Sequence, residues 1–259
     1  MQQWWEPTDR QSVVELLEDP ARAAAASAAA ARVRPDMALG LGSGRALWAT
    51  MELLARREEL EGTAVVSASS ITDRLAKDYG FSLFALDGEA RPDIYIDGAD
   101  EVGPDGGLLK GHGNALLREK LITVAARYVV VVVETRKLVE RLGHQCTLPV
   151  EVVRFGWMDT LRRLRERVAE VTVRTNDGVP LVTDEGNHLF EVRIEPGTDV
   201  VALAADLERT VGVIEHGLFL DKADEVLVGA PDGSVDVLRQ SRVPHRAGGC
   251  DDDDHAYCR

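Results

Sequence analysis

The sequence predicts an α/β protein: a doubly wound parallel sheet with a smaller α+β domain inserted near its end. Two observations predict it. Between residues 37 and 133, short apolar segments alternate with helical ones, which is the pattern of βαβ units. After Pro149 the texture changes to short strands and two helices, and one more apolar strand at 225–228 is placed to return to the first sheet.

Taken in order, the first element is a helix. Asp19 is a cap, Pro20 occupies the first helical position, and the alanine-rich run to Ala31 propagates well; Pro35 ends it. Residues 37–41 read as a strand, 45–60 as a helix, 63–66 as a strand and 72–79 as a helix. Strands follow at 81–86 and 93–96, then a helix at 114–127 and a strand at 128–133. The last is apolar and β-branched, as a central strand covered on both faces should be. The second part reads as a strand at 148–153, a helix at 159–168, strands at 171–175 and 189–194, and a helix at 200–210. The predicted organisation is a larger catalytic domain from residues 1–147 plus 223–240. Residues 148–222 form a small α+β domain, a lid or oligomerisation unit. Residues 241–259, polar with Gly248-Gly249 and four consecutive aspartates, form a disordered acidic tail. No internal repeat is present.

The 259 residues are 45% hydrophobic, enough for a sizeable core. The net charge of −14 argues against nonspecific nucleic-acid binding, which needs clustered cations. An anionic substrate must therefore be met by a local basic cluster. Cys146, Cys250 and Cys258 make neither a disulfide framework nor a common zinc pattern, and a reducing cytoplasm is the expected location. The N-terminus lacks the basic start and apolar stretch of a signal peptide. No apolar run reaches membrane-spanning length.

Several segments can carry chemistry. Gly40-Leu41-Gly42-Ser43-Gly44 follows a strand and opens a helix. Glycines there let backbone N–H groups approach a phosphate at the positive end of the helix dipole, or simply allow tight packing. The turn lacks the full dinucleotide fingerprint and the phosphate-loop lysine, which disfavours NAD and ATP. Asp97-Gly98-Ala99-Asp100-Glu101 lies just past a strand end, where open α/β sheets bind ligands. Three acids there are a solvated turn or a Mg²⁺ site, and their place at a strand end favours a functional reading. Lys110-Gly111-His112-Gly113-Asn114 leads into the helix of Arg118-Glu119-Lys120. Glu119 has Leu116, Ile122, Ala115 and Thr123 as its helical neighbours. A carboxylate in that stripe is desolvated and its basicity raised, unless it serves as a salt bridge to a lysine. Lys137 follows the strand 128–133, where it can reach a substrate phosphate or stand as an ordinary exposed lysine. The histidines are scattered, and neither a His-x-x-x-His pair nor a Gly-x-Ser-x-Gly elbow exists.

In order, these segments resemble the ribose-5-phosphate isomerase A family: the glycine turn 40–44, Asp97 to Glu101, Lys110 to Lys120, and Lys137. Ser69 with Thr72, the stretch 148–152, Thr183-Asp184-Glu185-Gly186-Asn187 and the stretch 212–219 extend the resemblance over roughly residues 19–233. It implies a Rossmann-like large domain with an inserted α+β domain, a homodimer or homotetramer, and no cofactor or metal. It implies Glu119 as the proton-transferring carboxylate, and Asp97, Asp100 and Lys110 as the polar groups around the sugar. Lys137 would be a phosphate ligand, and Gly42, Ser43, Gly44, Gly111 and Gly113 would be substrate-binding backbone. The expected reaction passes through a cis-enediolate, with Lys110 supplying positive charge and Asp97 or Asp100 moving the hydroxyl proton.

Two departures from the family pattern stand out. Arg45 and Ala46 occupy positions usually held by hydroxyl residues of the phosphate turn, and His112 and Asn114 interrupt an all-glycine loop. They predict Arg45 as an anion ligand and side chains of His112 and Asn114 beside the sugar. A modified pentose phosphate is the alternative substrate, and a non-catalytic sugar-phosphate sensor the alternative function.

Overall fold

Five consecutive valines, residues 129–133, form the body of the strand Tyr128–Glu134, and each is at most 2% exposed. Alternate side chains of a strand point to opposite faces. Val130 and Val132 enter one apolar cluster, and Val129, Val131 and Val133 enter another. The strand is thus the middle of a sheet buried on both faces. In the computed structural model, which describes residue 7 and residues 9–240, that sheet has seven strands. Their spatial order is Ser82–Leu83, Ala64–Ser67, Leu39–Leu41, Ile94–Gly98, Tyr128–Glu134, Glu225–Gly229 and Val235–Arg239. All neighbours are parallel except the last pair, which is antiparallel.

The order reverses between Leu39–Leu41 and Ile94–Gly98. A chain that winds outward in both directions leaves a crevice at that point, beyond the C-terminal strand ends. One face is covered by the helices Pro20–Ala30, Arg45–Ala55 and Ser70–Asp78. Asp19 caps the first of these by accepting from the N–H groups of Ala21 and Arg22. The other face is covered by Leu116–Ala125, which contributes Ile122.

A four-stranded antiparallel sheet has the order Val213–His216, Leu148–Val152, His188–Val192, Val171–Val173. The helices Trp157–Arg165 and Val200–Glu208 cover it through Leu161, Leu164, Ala204 and Leu207. A third, three-stranded sheet joins Glu101–Val102, Leu108–Leu109 and Leu218–Phe219, and it delivers Lys110 to the crevice.

The helix expected over 45–60 stops at Ala55, and a 3₁₀ turn follows at Glu58–Leu60. Arg57 stands between them with extended backbone, and its guanidinium donates to the carbonyls of Ala30 and Val33. Those bonds satisfy carbonyls at the end of the helix Pro20–Ala30 and pull the chain at Arg57 out of helical geometry. The short helix Arg10–Val14 and the three-stranded sheet have too few residues for a periodic signal. The acidic tail at 241–259 lies outside the described residues. No helix among the described residues is long and apolar enough to cross a membrane.

Candidate active site

Asp97 ends the strand Ile94–Gly98 and is 1% exposed. A buried carboxylate must be fully hydrogen-bonded. Oδ1 accepts from the N–H of Ser43 at 3.2 Å and of Gly98 at 2.7 Å. Oδ2 accepts from the Tyr95 hydroxyl and from Lys110 Nζ, the latter at 2.8 Å. Gly42 lies so close that a Cβ there would meet Asp97 Cγ at 1.9 Å. Only glycine lets the turn after Leu39–Leu41 approach this carboxylate, so Gly42 packs against Asp97.

Lys110 extends the chain of contacts. Its Nζ donates to the Gly98 carbonyl at 2.6 Å and stands 3.0 Å from Glu119 Oε2. Glu119 lies in Leu116–Ala125 and is 2% exposed. Burial, reinforced by Asp97, raises its proton affinity well above the ordinary carboxylate range, although Lys110 opposes the shift. Burial alone would lower Lys110, but Asp97 and Glu119 together hold it above its ordinary value. It is a fixed cation between two carboxylates. Tyr95 is likewise pushed up, by burial first and by Asp97 and Glu119 next, and stays a neutral donor.

A cavity of 270 Å³ opens beside this group. Glu119, Lys110 and Asp100 line it, as do Gly111, His112, Gly113 and Asn114. Ser43, Gly44, Arg45 and Ala46 line it too, as do Arg136 and Lys137. Gly44 begins the helix Arg45–Ala55 with φ +111 and no side-chain cap, so the first-turn N–H groups are available to an anion. Ser69 and Thr72 brace this turn. Ser69 Oγ is 3.0 Å from Ser43 Oγ, and Thr72 Oγ1 donates to the Gly42 carbonyl at 3.0 Å. The larger cavity of the molecule, 810 Å³, lies on the outer side of Leu116–Ala125. Lys120 and His216 are buried in its wall, but its carboxylates Glu208 and Glu215 are solvent-accessible, so it has no counterpart of buried Glu119 beside Lys110 and its size does not make it the reaction site.

The structure therefore brings Asp97, Asp100, Lys110, Glu119, the turn 42–45, Gly111, Gly113 and Lys137 to one place. Glu101 parts from them. It is fully buried and accepts from the N–H groups of Gly143, Gln145 and Cys146, holding the segment 143–146. No group of three or more His, Cys, Asp or Glu among the described residues is placed to hold a metal ion. His112 and Asn114 line the cavity, but their polar ends are engaged by other parts of the protein: His112 Nε2 by the Thr147 carbonyl and Asn114 Oδ1 by Arg174. Sequence reasoning missed Tyr95, hidden in an apolar strand. It also missed Glu134, whose carboxylate binds buried Arg22 at 2.8 Å and Arg136 at 3.1 Å.

Comparisons with known proteins add to this geometry. The family model described as ribose 5-phosphate isomerase A (phosphoriboisomerase A) matches residues 64–233. The ribose-5-phosphate isomerase A of Chloroflexus aurantiacus is 42% identical over 216 residues, which cover 82% of this chain and 90% of that protein. The solved ribose 5-phosphate isomerase A of Methanocaldococcus jannaschii superposes with a TM-score of 0.79 at 33% identity, covering 86% of this chain and all of that one. A D-ribose-5-phosphate isomerase solved in complex with phospho-erythronic acid gives the same TM-score at 31% identity, over 86% of this chain and 99% of that one.

Proposed function

This chain belongs to the ribose 5-phosphate isomerase A family of aldose–ketose isomerases, and on that premise we propose that it interconverts ribose 5-phosphate and ribulose 5-phosphate through a cis-enediolate, with Glu119 as the base. The observation that carries this reading is the buried contact of Glu119 with Lys110 at the wall of the cavity. The Glu119 carboxylate removes the C2 proton of the open-chain aldose, the resulting carboxyl exchanges its proton with solvent, and a proton is delivered from it to C1. The hydroxyl proton moves from O2 to O1, so the net change is a hydrogen shift with nothing gained or lost. Lys110 holds positive charge beside the enediolate oxygens, and its side chain is 5% exposed, so that little water weakens the charge.

The two aspartates take different roles. Both oxygens of Asp97 are already filled by four donors. Asp97 therefore anchors Lys110 and the turn at Ser43. Asp100 lines the cavity, with Oδ2 accepting from the His112 N–H, and it serves as the carrier of the hydroxyl proton and assists ring opening. The phosphate sits at the N-terminus of Arg45–Ala55, with Arg45 and Lys137 as its cations.

The test is an isotope experiment. Ribose 5-phosphate incubated with the protein in D₂O should yield ribulose 5-phosphate carrying deuterium at C1. A protein that binds the sugar phosphate without any exchange would be a sensor and not an isomerase. Arg45 is the observation that favours a second substrate reading, a pentose phosphate with a different anionic group, because it adds a charged side chain at the phosphate end.

The 810 Å³ groove is our choice for the homo-oligomer contact. Leu121, Val124 and Val201 are exposed there, Arg91, Lys120 and Lys222 face Glu208 and Glu215, and buried His216 Nε2 has no hydrogen-bond partner. A groove of mixed charge, free of the acidic excess of a chain of net charge −14, suits a meeting of two copies. Leu121→Asp should lower the solution mass to that of one chain. A wild type that is already monomeric would refute the contact. The half-buried free thiol of Cys146 accords with a reducing, cytoplasmic setting.

A further inference from the structure

The loop that joins Lys110 to the helix of Glu119 is pinned from the smaller antiparallel sheet. Asn114 takes the left-handed conformation, φ +63, and its Oδ1 accepts from Arg174 Nη1 at 2.5 Å. The same nitrogen donates to the Gly111 carbonyl at 3.0 Å. Arg174 Nε donates to Glu191 Oε1 at 2.5 Å, and Glu191 Oε2 accepts from Thr147 Oγ1 at 2.6 Å. The Thr147 carbonyl then accepts from His112 Nε2 at 3.0 Å; a carbonyl only accepts, so this nitrogen carries the proton. The circuit closes on itself. The two non-glycine side chains inside the loop are its two anchors, and Glu191 joins them.

Arg174 is 6% exposed and does not line the cavity. A guanidinium presents its donors in a rigid plane, so it fixes two acceptors of one loop relative to each other. Small displacements of a catalytic group lower rates steeply, by about a hundredfold for an ångström. We propose that Arg174, seated by Glu191, is a positioning residue for the isomerisation: it fixes the loop 110–114 against the sugar and thereby the placement of Lys110 beside Glu119. This rests on the isomerase reading of the site.

Three variants test it. Arg174→Met keeps the length and removes the donors, Arg174→Lys keeps the charge without the fork, and Asn114→Gly removes the acceptor while suiting the left-handed backbone. With ribose 5-phosphate, Arg174→Met should lower kcat about tenfold or more while KM stays within about threefold. Hydrogen exchange in peptides spanning 110–116 should accelerate. Asn114→Gly should shift both readouts in the same direction by less, and combining it with Arg174→Met should add little, as expected for two ends of one contact. A fall in thermal stability with wild-type kcat would make the role merely structural and overturn the proposal. Should Arg174→Met fail to fold, unchanged kcat and unchanged loop exchange in both Arg174→Lys and Asn114→Gly would overturn it equally. A wild type that does not isomerise ribose 5-phosphate would sink the functional reading instead, and unaltered loop exchange in the variants would then sink the positioning claim separately.

Discussion

Lys110 Nζ stands 3.0 Å from Glu119 Oε2, and the two side chains are 5% and 3% exposed. Few contacts in the molecule set a cation and a carboxylate so close with so little water. The proposed base and its proposed stabilising charge are thus held in register before substrate arrives.

Replacing Glu119 by Gln retains shape and removes basicity. Turnover should fall at least about a hundredfold, with KM little changed. Steady-state kinetics on the folded variant checks this, and near-wild-type turnover would remove Glu119 from the mechanism.

The pH dependence follows from the raised proton affinity of Glu119. It acts only when ionised, so kcat/KM should rise with pH through an apparent pKa at least one unit above the unperturbed value of about 4.3. Stability runs the other way. A carboxyl whose folded pKa exceeds its unfolded one contributes most below the unfolded value, and the contribution is lost as pH rises through the folded value. The melting temperature of Glu119→Gln relative to wild type should therefore increase between pH 5 and pH 9. An acid limb at the ordinary glutamate value would contradict both expectations.

Lys110→Met leaves Asp97 and Glu119 buried without their shared cation. Breaking such a cluster typically costs about 3–5 kcal/mol, and loss of the charge should reduce kcat by about a hundredfold or more. Denaturant titration and rate measurements on the same preparation give both numbers. If Lys110 supplies the charge, as proposed, exhaustive chelation of the wild type should leave activity intact. Loss restored by Mg²⁺ or Mn²⁺ would contradict this.

The phosphate end makes a separate prediction. Arg45→Ser with Ala46→Thr should weaken binding of the preferred substrate and change the ranking across a panel of pentose phosphates. If the wild type already turns over ribose 5-phosphate above about 10⁴ M⁻¹s⁻¹ and the double variant matches it throughout, Arg45 is a neutral replacement.

The sequence displayed this site unevenly. The apolar neighbours of Glu119 pointed to burial, which the structure shows, but equally to a salt bridge with a lysine, which is present as the contact with Lys110; only the family resemblance singled it out as the base. The reversal of strand order followed from alternation, and it puts Gly42 and Asp97 on adjacent strands' ends. Tyr95 could not be read, because within an apolar strand a phenol looks like core until its partner is known. Arg174 was hidden for a different reason: its partners Gly111 and Asn114 belong to another sheet region, and no local pattern links them. His112 and Asn114 looked like additions to the sugar's surroundings, whereas their polar ends serve as anchors.

The sheet order also has a consequence during synthesis. The valine-rich strand Tyr128–Glu134 pairs with Ile94–Gly98 on one side and with Glu225–Gly229 on the other. The second partner leaves the ribosome only after the whole smaller sheet has been made. Until then the nascent chain carries an unpaired, uncharged edge of five valines, the kind of surface that recruits other chains. Premature termination between the end of this strand at Glu134 and the start of its partner at Glu225 would strand the protein in that form, so such truncated products should be found in aggregates or in the hands of chaperones.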